Sequence, residues 1–423
     1  MKLEKLLNIE KLNEQVRDGY ISVRAHPKLP LRIYNYSSQC TFENKWSLES
    51  CICRGLIVDS NDNVVSRPIA KFFNLGQTGP LLVRDWFLRD ERGENKGVVK
   101  DQTIDPAYLL ECARLFKNPI TITRKLDGWA GISWHYEGIY GVASRGSFDS
   151  PGAQYATEKV QKFVKYGAFA DFLPEDTTLF FEIISKVTKV VVPYNFEGLV
   201  LIAAIANETG EELEYPELEA FHKQLNSYAK DRDWCRLVPK FDMSVEECMA
   251  DKDMTEEGYV TAVHRPHLPP VRAKIKLAEY CRLHRIVTGV TPQKIWNELS
   301  DPMSPWISHN SKKDWTTGEI KVDMSVPKEF GEWVYQWQVK ITGVFHEKLV
   351  RAVEAESHLT KLATDSPAER KAQVEWLRAN FADVSKAAML LHQGKIVDAY
   401  NELWIQVRPF GREEYYYQDG KGE

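Results

Sequence analysis

The chain has 423 residues, 43% hydrophobic and 27% charged, the make-up of a globular protein with room for two to three domains and a large core. No apolar run approaches the ~20 residues of a membrane span, and the charged start Met1-Lys2-Leu3-Glu4-Lys5 lacks the apolar centre of a secretory signal, so a cytoplasmic protein with no membrane partner is expected. A net charge of −5 excludes the gross basic footprint of a nucleic-acid binder, and seven irregularly spaced cysteines speak against a disulfide framework or a zinc site.

Short β-type runs dominate up to about residue 280. The first fall at 56–58 and 64–65, split by the turn signal Ser60-Asn61-Asp62-Asn63. A helix is expected over Pro106–Phe116. The alternating stretch 120–123, bounded by Pro119, reads as a strand, and so does 131–136. Between them lies Lys125-Leu126-Asp127-Gly128, which puts a lysine at a strand end beside a turn, where glycine would let the backbone come close to a bulky ligand. Further strands are expected at Ile139–Ala143, 179–184, 199–206, 259–263 and 271–276, with a helix at 157–169. This is the pattern of an α+β domain with mainly antiparallel sheets.

Beyond about Pro292 the β pattern stops. Phe330, Trp333, Val334, Trp337, Ile341, Val344, Phe345 and Leu349 recur at three- and four-residue steps, which predicts one long amphipathic helix. Ser366-Pro367-Ala368-Glu369 has capping-box spacing with proline at the first helical position, and opens a second helix to about residue 381. Two more are expected at 382–393 and 396–407. The expectation is therefore a first domain, 1–284, followed by an all-helical domain, 285–423.

Several residues carry chemistry. A lysine amine can attack phosphorus only when deprotonated, which calls for a pKa lowered by desolvation or by a neighbouring cation. Val271-Arg272-Ala273-Lys274-Ile275-Lys276 supplies two ammonium groups on one strand face, a phosphate site or a solvated surface. Glu182 stands alone in Leu179-Phe180-Phe181-Glu182-Ile183-Ile184, as a metal carboxylate or half of a buried ion pair. Glu257, ahead of Gly258-Tyr259-Val260, is a second metal carboxylate or a strand-end surface acid. Arg54, Lys71 and Arg145 are cations beside turns that could grip outer phosphates, or ordinary surface charges.

In order, Lys-x-Asp-Gly, Ser-Arg-Gly-Ser-Phe, Phe-Glu-Ile-Ile, Glu-Gly-Tyr-Val and Lys-Ile-Lys resemble motifs I, III, IIIa, IV and V of the covalent nucleotidyltransferases. The upstream Arg54-Gly55 hairpin with Ser66-Arg67-Pro68-Ile69-Ala70-Lys71-Phe72-Phe73-Asn74 resembles the bacteriophage RNA ligase 1 family in particular, and the likeness covers about residues 30–284. It implies an ATP-grasp-like adenylyltransferase domain in which Lys125 takes AMP from ATP. Arg54 and Lys71 would contact the ATP phosphates with Arg145 beside them, Lys274 and Lys276 would bind the α-phosphate, Glu182 would hold the ribose or help the metal, and Glu257 would serve the metal, Mg²⁺ or Mn²⁺. Tyr36 would match an aromatic of the nucleotide pocket. Asp127 and Gly128 belong to the motif without an assigned role. Where the family has Asn-Arg-Ile-Val, this chain has Thr188-Lys189-Val190-Val191, and lysine lacks arginine's bidentate fork, which leaves the role of Lys189 open.

The resemblance further implies an ATP-dependent ligase joining RNA 5′-phosphate and 3′-hydroxyl ends, in RNA or tRNA repair with nicked tRNA as a partner. A monomer is expected, in the host cytoplasm if phage-encoded; the helical domain matches no motif of the family, and is either an RNA-specificity module that docks a structured RNA such as a broken tRNA loop or a scaffold that braces the first domain. Two alternatives are a GTP-using capping-type nucleotidyltransferase and a catalytically silent RNA-binding protein on the same scaffold.

Overall fold

The computed structural model describes residues 1–82, 99–166, 176–186, 188, 191–192, 194–227, 234–253, 255–300, 311–313, 320–322, 328–361 and 366–410. The chain divides into two compact units, Met1–His284 and Arg285–Gln418.

Among the described residues, three sheets and a two-stranded ribbon build the first unit. In the N-terminal sheet, β1 (Ile21–Ala25), β2 (Leu31–Tyr36), β3 (Arg54–Asp59) and β4 (Val64–Ser66) pair antiparallel in that order. Short strand β5 (Phe73–Asn74) follows, then the ribbon of β6 (Thr78–Leu82) and β7 (Val99–Thr103). Two larger sheets come next. One contains β8 (Thr121–Lys125) and the other β9 (Trp129–Tyr136), β10 (Ile139–Ala143), β11 (Thr177–Ile184), β12 (Gly198–Ala206) and β13 (Cys235–Leu237), in the order β10-β9-β11-β12-β13. With β14 (Lys240–Phe241), β15 (Gly258–Arg265) and β16 (Leu268–Lys276), β8 forms the sheet β14-β8-β15-β16-β5. Pairing is antiparallel except for β12 with β13 and β16 with β5. The mixed α+β architecture with antiparallel-rich sheets agrees with the strand pattern.

Alternation along β11 sorts its side chains between layers. Leu179, Phe181 and Ile183 enter one core with Val160 and Phe163 from the helix Pro151–Tyr166 and Leu218 from the helix Tyr215–Ser227. Phe180 instead joins Ile33, Ile57, Ile132 and Trp134 in a second core, and Glu182 shares its face. The helix expected at 157–169 begins six residues earlier, because Pro151 occupies its first turn, where a missing N–H costs nothing; its expected last residues, 167–169, lie outside the described ones.

In the second unit, the long helix runs Lys328–Lys361 and is followed by Pro367–Asn380, Ser385–His392 and Ile396–Gln406. Phe330, Val334 and Ile341 form one buried stripe, and Ala352, Ala355 and Leu359 continue the packing. Ser366 stands at its expected N-cap without a side-chain capping bond. A two-stranded ribbon, Ser311–Lys313 with Ile320–Val322, departs from the expectation of an all-helical domain. Among the described residues no helix is long and apolar enough to cross a membrane.

Candidate active site

The neighbouring strands β8, β15 and β16 set the site through their register. Lys125 lies opposite Gly258, and Gly258 opposite Lys276; two residues along, Thr123 faces Val260 and Val260 faces Lys274. Beside these rows is a cavity of about 220 Å³ whose lining includes Lys125, Thr123, Val260, Lys274, Phe180, Glu182, Arg54 and Arg145.

Glu257 is the electrostatic centre. It is 3% exposed, so it is a buried acid and not a surface one. Its Oε2 accepts from Lys125 Nζ at 2.7 Å, and Oε1 lies 3.0 Å from Lys276 Nζ. Desolvation pushes the Lys125 pKa down, yet Glu257 and then Glu182 outweigh it, and the amine is held above the usual lysine value. The depressed pKa expected of Lys125 is thus not found, because a carboxylate reaches the amine first. Lys274 shows the opposite behaviour: desolvation, reinforced by Lys71, Arg54, Lys125 and Lys276, holds it well below the ordinary lysine value.

Glu182 accepts from Gly128 N at 3.0 Å, and burial raises its carboxyl to about 7 against the partial relief of Lys125. Gly128 is needed for this packing. A Cβ there would stand 2.5 Å from the Ile183 carbonyl oxygen, so the glycine admits a neighbouring strand rather than the ligand expected from sequence.

Asp127 is a buried clamp. Its Oδ2 accepts from Val191 N at 2.6 Å and Val192 N at 2.8 Å, and its Oδ1 accepts from the Tyr280 hydroxyl at 2.8 Å. The Asp127 amide donates to the Tyr194 hydroxyl at 2.8 Å. Both tyrosines escaped the sequence reading, although Tyr280 lies four residues past Lys276, in the first turn of the helix Ala278–Gly289. The expected site residue Lys189 lies outside the described residues.

Tyr36 and Lys71 stand beside the cavity rather than in its lining. Arg145, which does line it, donates to the Tyr36 hydroxyl at 2.6 Å. Burial resists ionisation of this phenol, but Arg145, Arg54 and Lys71 together outweigh burial and hold it below the usual tyrosine value. Arg272 and Glu212 also line the cavity and pair through two hydrogen bonds, one of 2.7 Å.

Among the described residues no three His, Cys, Asp or Glu converge as a ready-made metal centre. Glu182 and Glu257 do fit the weaker demand of a hard cation that keeps its waters and leans on one or two carboxylates plus phosphate oxygens. One oxygen of Glu182 is committed to Gly128, whereas both oxygens of Glu257 are engaged by ammonium groups.

A family model described as RNA ligase matches residues 52–280, more than half of the chain. The chain belongs to the phage RNA ligase 1 family. An RNA ligase of Rhodothermus phage RM378 is 26% identical to it over 310 residues, which are 63% of this chain and 66% of the relative. Among solved structures, the Naegleria gruberi RNA ligase with PPi shares 17% identity at a TM-score of 0.33, covering 42% of this chain and 55% of that one. A mutant of the same protein with ATP and Mn gives 15%, 0.34, 52% and 63%. This RNA ligase family member thus spans less than two thirds of each relative's own length. The family match takes in Arg54, Lys71, Lys125, Asp127, Arg145, Glu182, Glu257, Lys274 and Lys276, and leaves out Tyr36.

Proposed function

We propose that the protein is an ATP-dependent RNA ligase that joins a 5′-phosphate to a 3′-hydroxyl through lysyl-AMP and adenylylated RNA. The observation that carries this reading is the meeting of Lys125, Glu257 and Lys276 on adjacent strands, beside a cavity lined by Arg54, Arg145, Glu182 and Lys274.

In the first step Lys125 Nζ attacks the α-phosphorus of ATP. An N–P bond forms, the bond to the bridging oxygen breaks, and pyrophosphate leaves. The amine must lose a proton, and Glu257 Oε2, 2.7 Å away, is the acceptor in contact with it. Lys274 and Arg145 neutralise charge that grows on the phosphate oxygens, while Asp127 fixes the turn that aims the lysine. In the second step a 5′-phosphate oxygen attacks the same phosphorus, the N–P bond breaks and the lysine regains its proton. Last, a 3′-hydroxyl attacks the activated end and AMP departs. Glu182 and Glu257 would hold a divalent cation, Mg²⁺ or Mn²⁺, which supplies charge neutralisation at the phosphates.

The RNA is assigned to nicked or otherwise broken ends, with tRNA repair as the setting. Residues 285–423, mostly helical where described, are assigned to its recognition, and the protein is taken to act as a monomer in the cytoplasm.

The test is covalent labelling with radiolabelled ATP, with GTP in parallel, followed by sealing of defined RNA and DNA ends. ATP should label the wild type, and Lys125→Ala should take no label while keeping some sealing of pre-adenylylated RNA. Undiminished labelling of that variant would refute the nucleophile, and preference for GTP would make the protein a capping-type enzyme.

A further inference from the structure

Lys71 has surroundings that no motif describes. Its Nζ lies 5.2 Å from the ring centre of Tyr36, 4.9 Å from that of Trp46 and 5.2 Å from that of Phe73. These are cation–π distances, and the rings come from β2, from the loop after Ser38–Phe42, and from β5. Trp46 is common to the ring pairs, edge-on to Tyr36 at 5.0 Å and to Phe73 at 5.4 Å. The next residue, Ser47, caps the helix Leu48–Ile52 through a capping box with Ser50, which fixes where the indole departs. Lys71 N donates to Cys51 O at 2.7 Å, so the lysine's own loop is tied to the same short helix.

Among the described residues no carboxylate forms an ion pair with Lys71. Beyond desolvation, Tyr36 acts on it first and attracts it, with a hydrogen bond to the phenol, whereas Arg54 and Arg145 repel it. An ammonium placed beside two guanidinium groups would swing out to water unless something else held it. The Tyr36 hydroxyl and the negative faces of three rings do so without a carboxylate to neutralise its charge, which leaves the charge available to a polyanion.

We propose that Trp46 is a positioning residue for the triphosphate: with Tyr36 and Phe73 it holds the Lys71 ammonium where the outer phosphates of ATP, and pyrophosphate in the reverse reaction, are received. The proposal rests on the reading of Lys71 as a phosphate ligand. Trp46 serves only the steps that involve the outer phosphates, since adenylylated RNA carries none.

The experiment compares Trp46→Ala, Trp46→Phe, Lys71→Ala and the double variant Trp46→Ala/Lys71→Ala in the full chain. It reads lysyl-AMP formation against ATP concentration, release of AMP from the labelled enzyme by pyrophosphate, and sealing of pre-adenylylated RNA. Trp46→Ala should raise the KM for ATP about fivefold, the scale of one lost cation–π contact, and slow the pyrophosphate reaction. Sealing of pre-adenylylated RNA should be unchanged, which also reports that the variant folds. Trp46→Phe should restore most of the ATP affinity, and Trp46→Ala should add nothing in the Lys71→Ala background. If Trp46→Ala weakens sealing of pre-adenylylated RNA as much as it weakens labelling, the indole is a scaffold and the proposal fails. It fails alone if Lys71→Ala raises the KM for ATP and Trp46→Ala does not. If Lys71→Ala leaves that KM unchanged, the phosphate reading of Lys71 falls and takes the proposal with it.

Discussion

Asp127 offers a sharp test of whether the motif I acid acts through geometry or through charge. It is 4% exposed and feels Glu257, and burial followed by that neighbour raises its pKa above the ordinary aspartate value. Its charge is therefore a cost, and its value lies in what it accepts. In Asp127→Asn the remaining oxygen can keep the amides of Val191 and Val192, while the new NH₂ donates to the Tyr280 hydroxyl oxygen. The change should cost no more than about 1 kcal/mol. Asp127→Ala instead leaves two interior amides without an acceptor, at ~1–3 kcal/mol each, so roughly 2–6 kcal/mol together. For a unit of this size the unfolding entropy is about 0.6 kcal/mol per kelvin, which makes the expected fall in melting temperature roughly 3–10 °C. Scanning calorimetry at neutral pH reads the stability, and labelling with ATP reads whether Lys125 is still aimed. Asparagine should stay near wild type in both, and alanine should lose both. An asparagine variant as inactive as alanine, at near wild-type stability, would show that the charge itself is used and would refute the clamp.

Glu182→Gln tests the raised carboxyl. Its folded pKa of about 7 exceeds the ordinary 4.5, so its contribution to stability is present below pH 4.5 and is lost as pH rises through about 7. The melting temperature of wild type relative to Glu182→Gln should therefore fall across that window, and a difference that rises with pH would contradict the assignment. Gly128→Ala must fit a Cβ 2.5 Å from a backbone oxygen, and should cost about 1–3 kcal/mol in urea unfolding and lower AMP labelling. For the buried pair of Arg272 and Glu212, Glu212→Ala alone should destabilise by about 3–5 kcal/mol. Replacing both partners with apolar residues of similar volume should recover most of that loss, as read from the same denaturation curves.

Much of the site can be read in the sequence, because strand alternation fixes faces without any knowledge of the partners. Glu182 is legible as an acid two residues from Phe180 in an apolar strand, and both side chains line the cavity. Lys125 is legible as a strand end. What alternation cannot supply is the partner across the fold. Tyr280 meets Asp127 across 153 residues and Glu257 meets Lys125 across 132, and neither contact leaves a local trace. The wrong expectation for the Lys125 pKa has this origin: the cations of motif V were visible in the chain, whereas the intervening carboxylate depended on register. Trp46 was hidden for a related reason, since one aromatic among 12 tryptophans carries no signal until Lys71 is seen beside it.

Register also explains why so many charges can share this site. Lys125, Gly258 and Lys276 form one row across three strands, and Thr123, Val260 and Lys274 form the next. A slip of one residue in β15 would turn each of its side chains to the opposite face. Gly258 makes such a slip difficult. At φ +143° it adopts a conformation that other residues rarely take, and a Cβ there would stand 2.0 Å from the Ile275 carbonyl oxygen. Only a glycine fits between the two lysines, and the residue just before it is the acid that holds them both. The Glu-Gly pair at the head of β15 therefore works as one device: the glycine locks the register, and the locked register delivers the carboxylate to Lys125. Gly258→Ala should on this account detach Glu257 from Lys125 while leaving both side chains in the molecule. The amine's pKa, followed by the pH dependence of its reaction with an amine-selective reagent, should then drop from its wild-type value, because desolvation is opposed only by Glu182 and Asp127 once Glu257 is detached. A Lys125 pKa unchanged from that of the wild type would show that the register survives without the glycine.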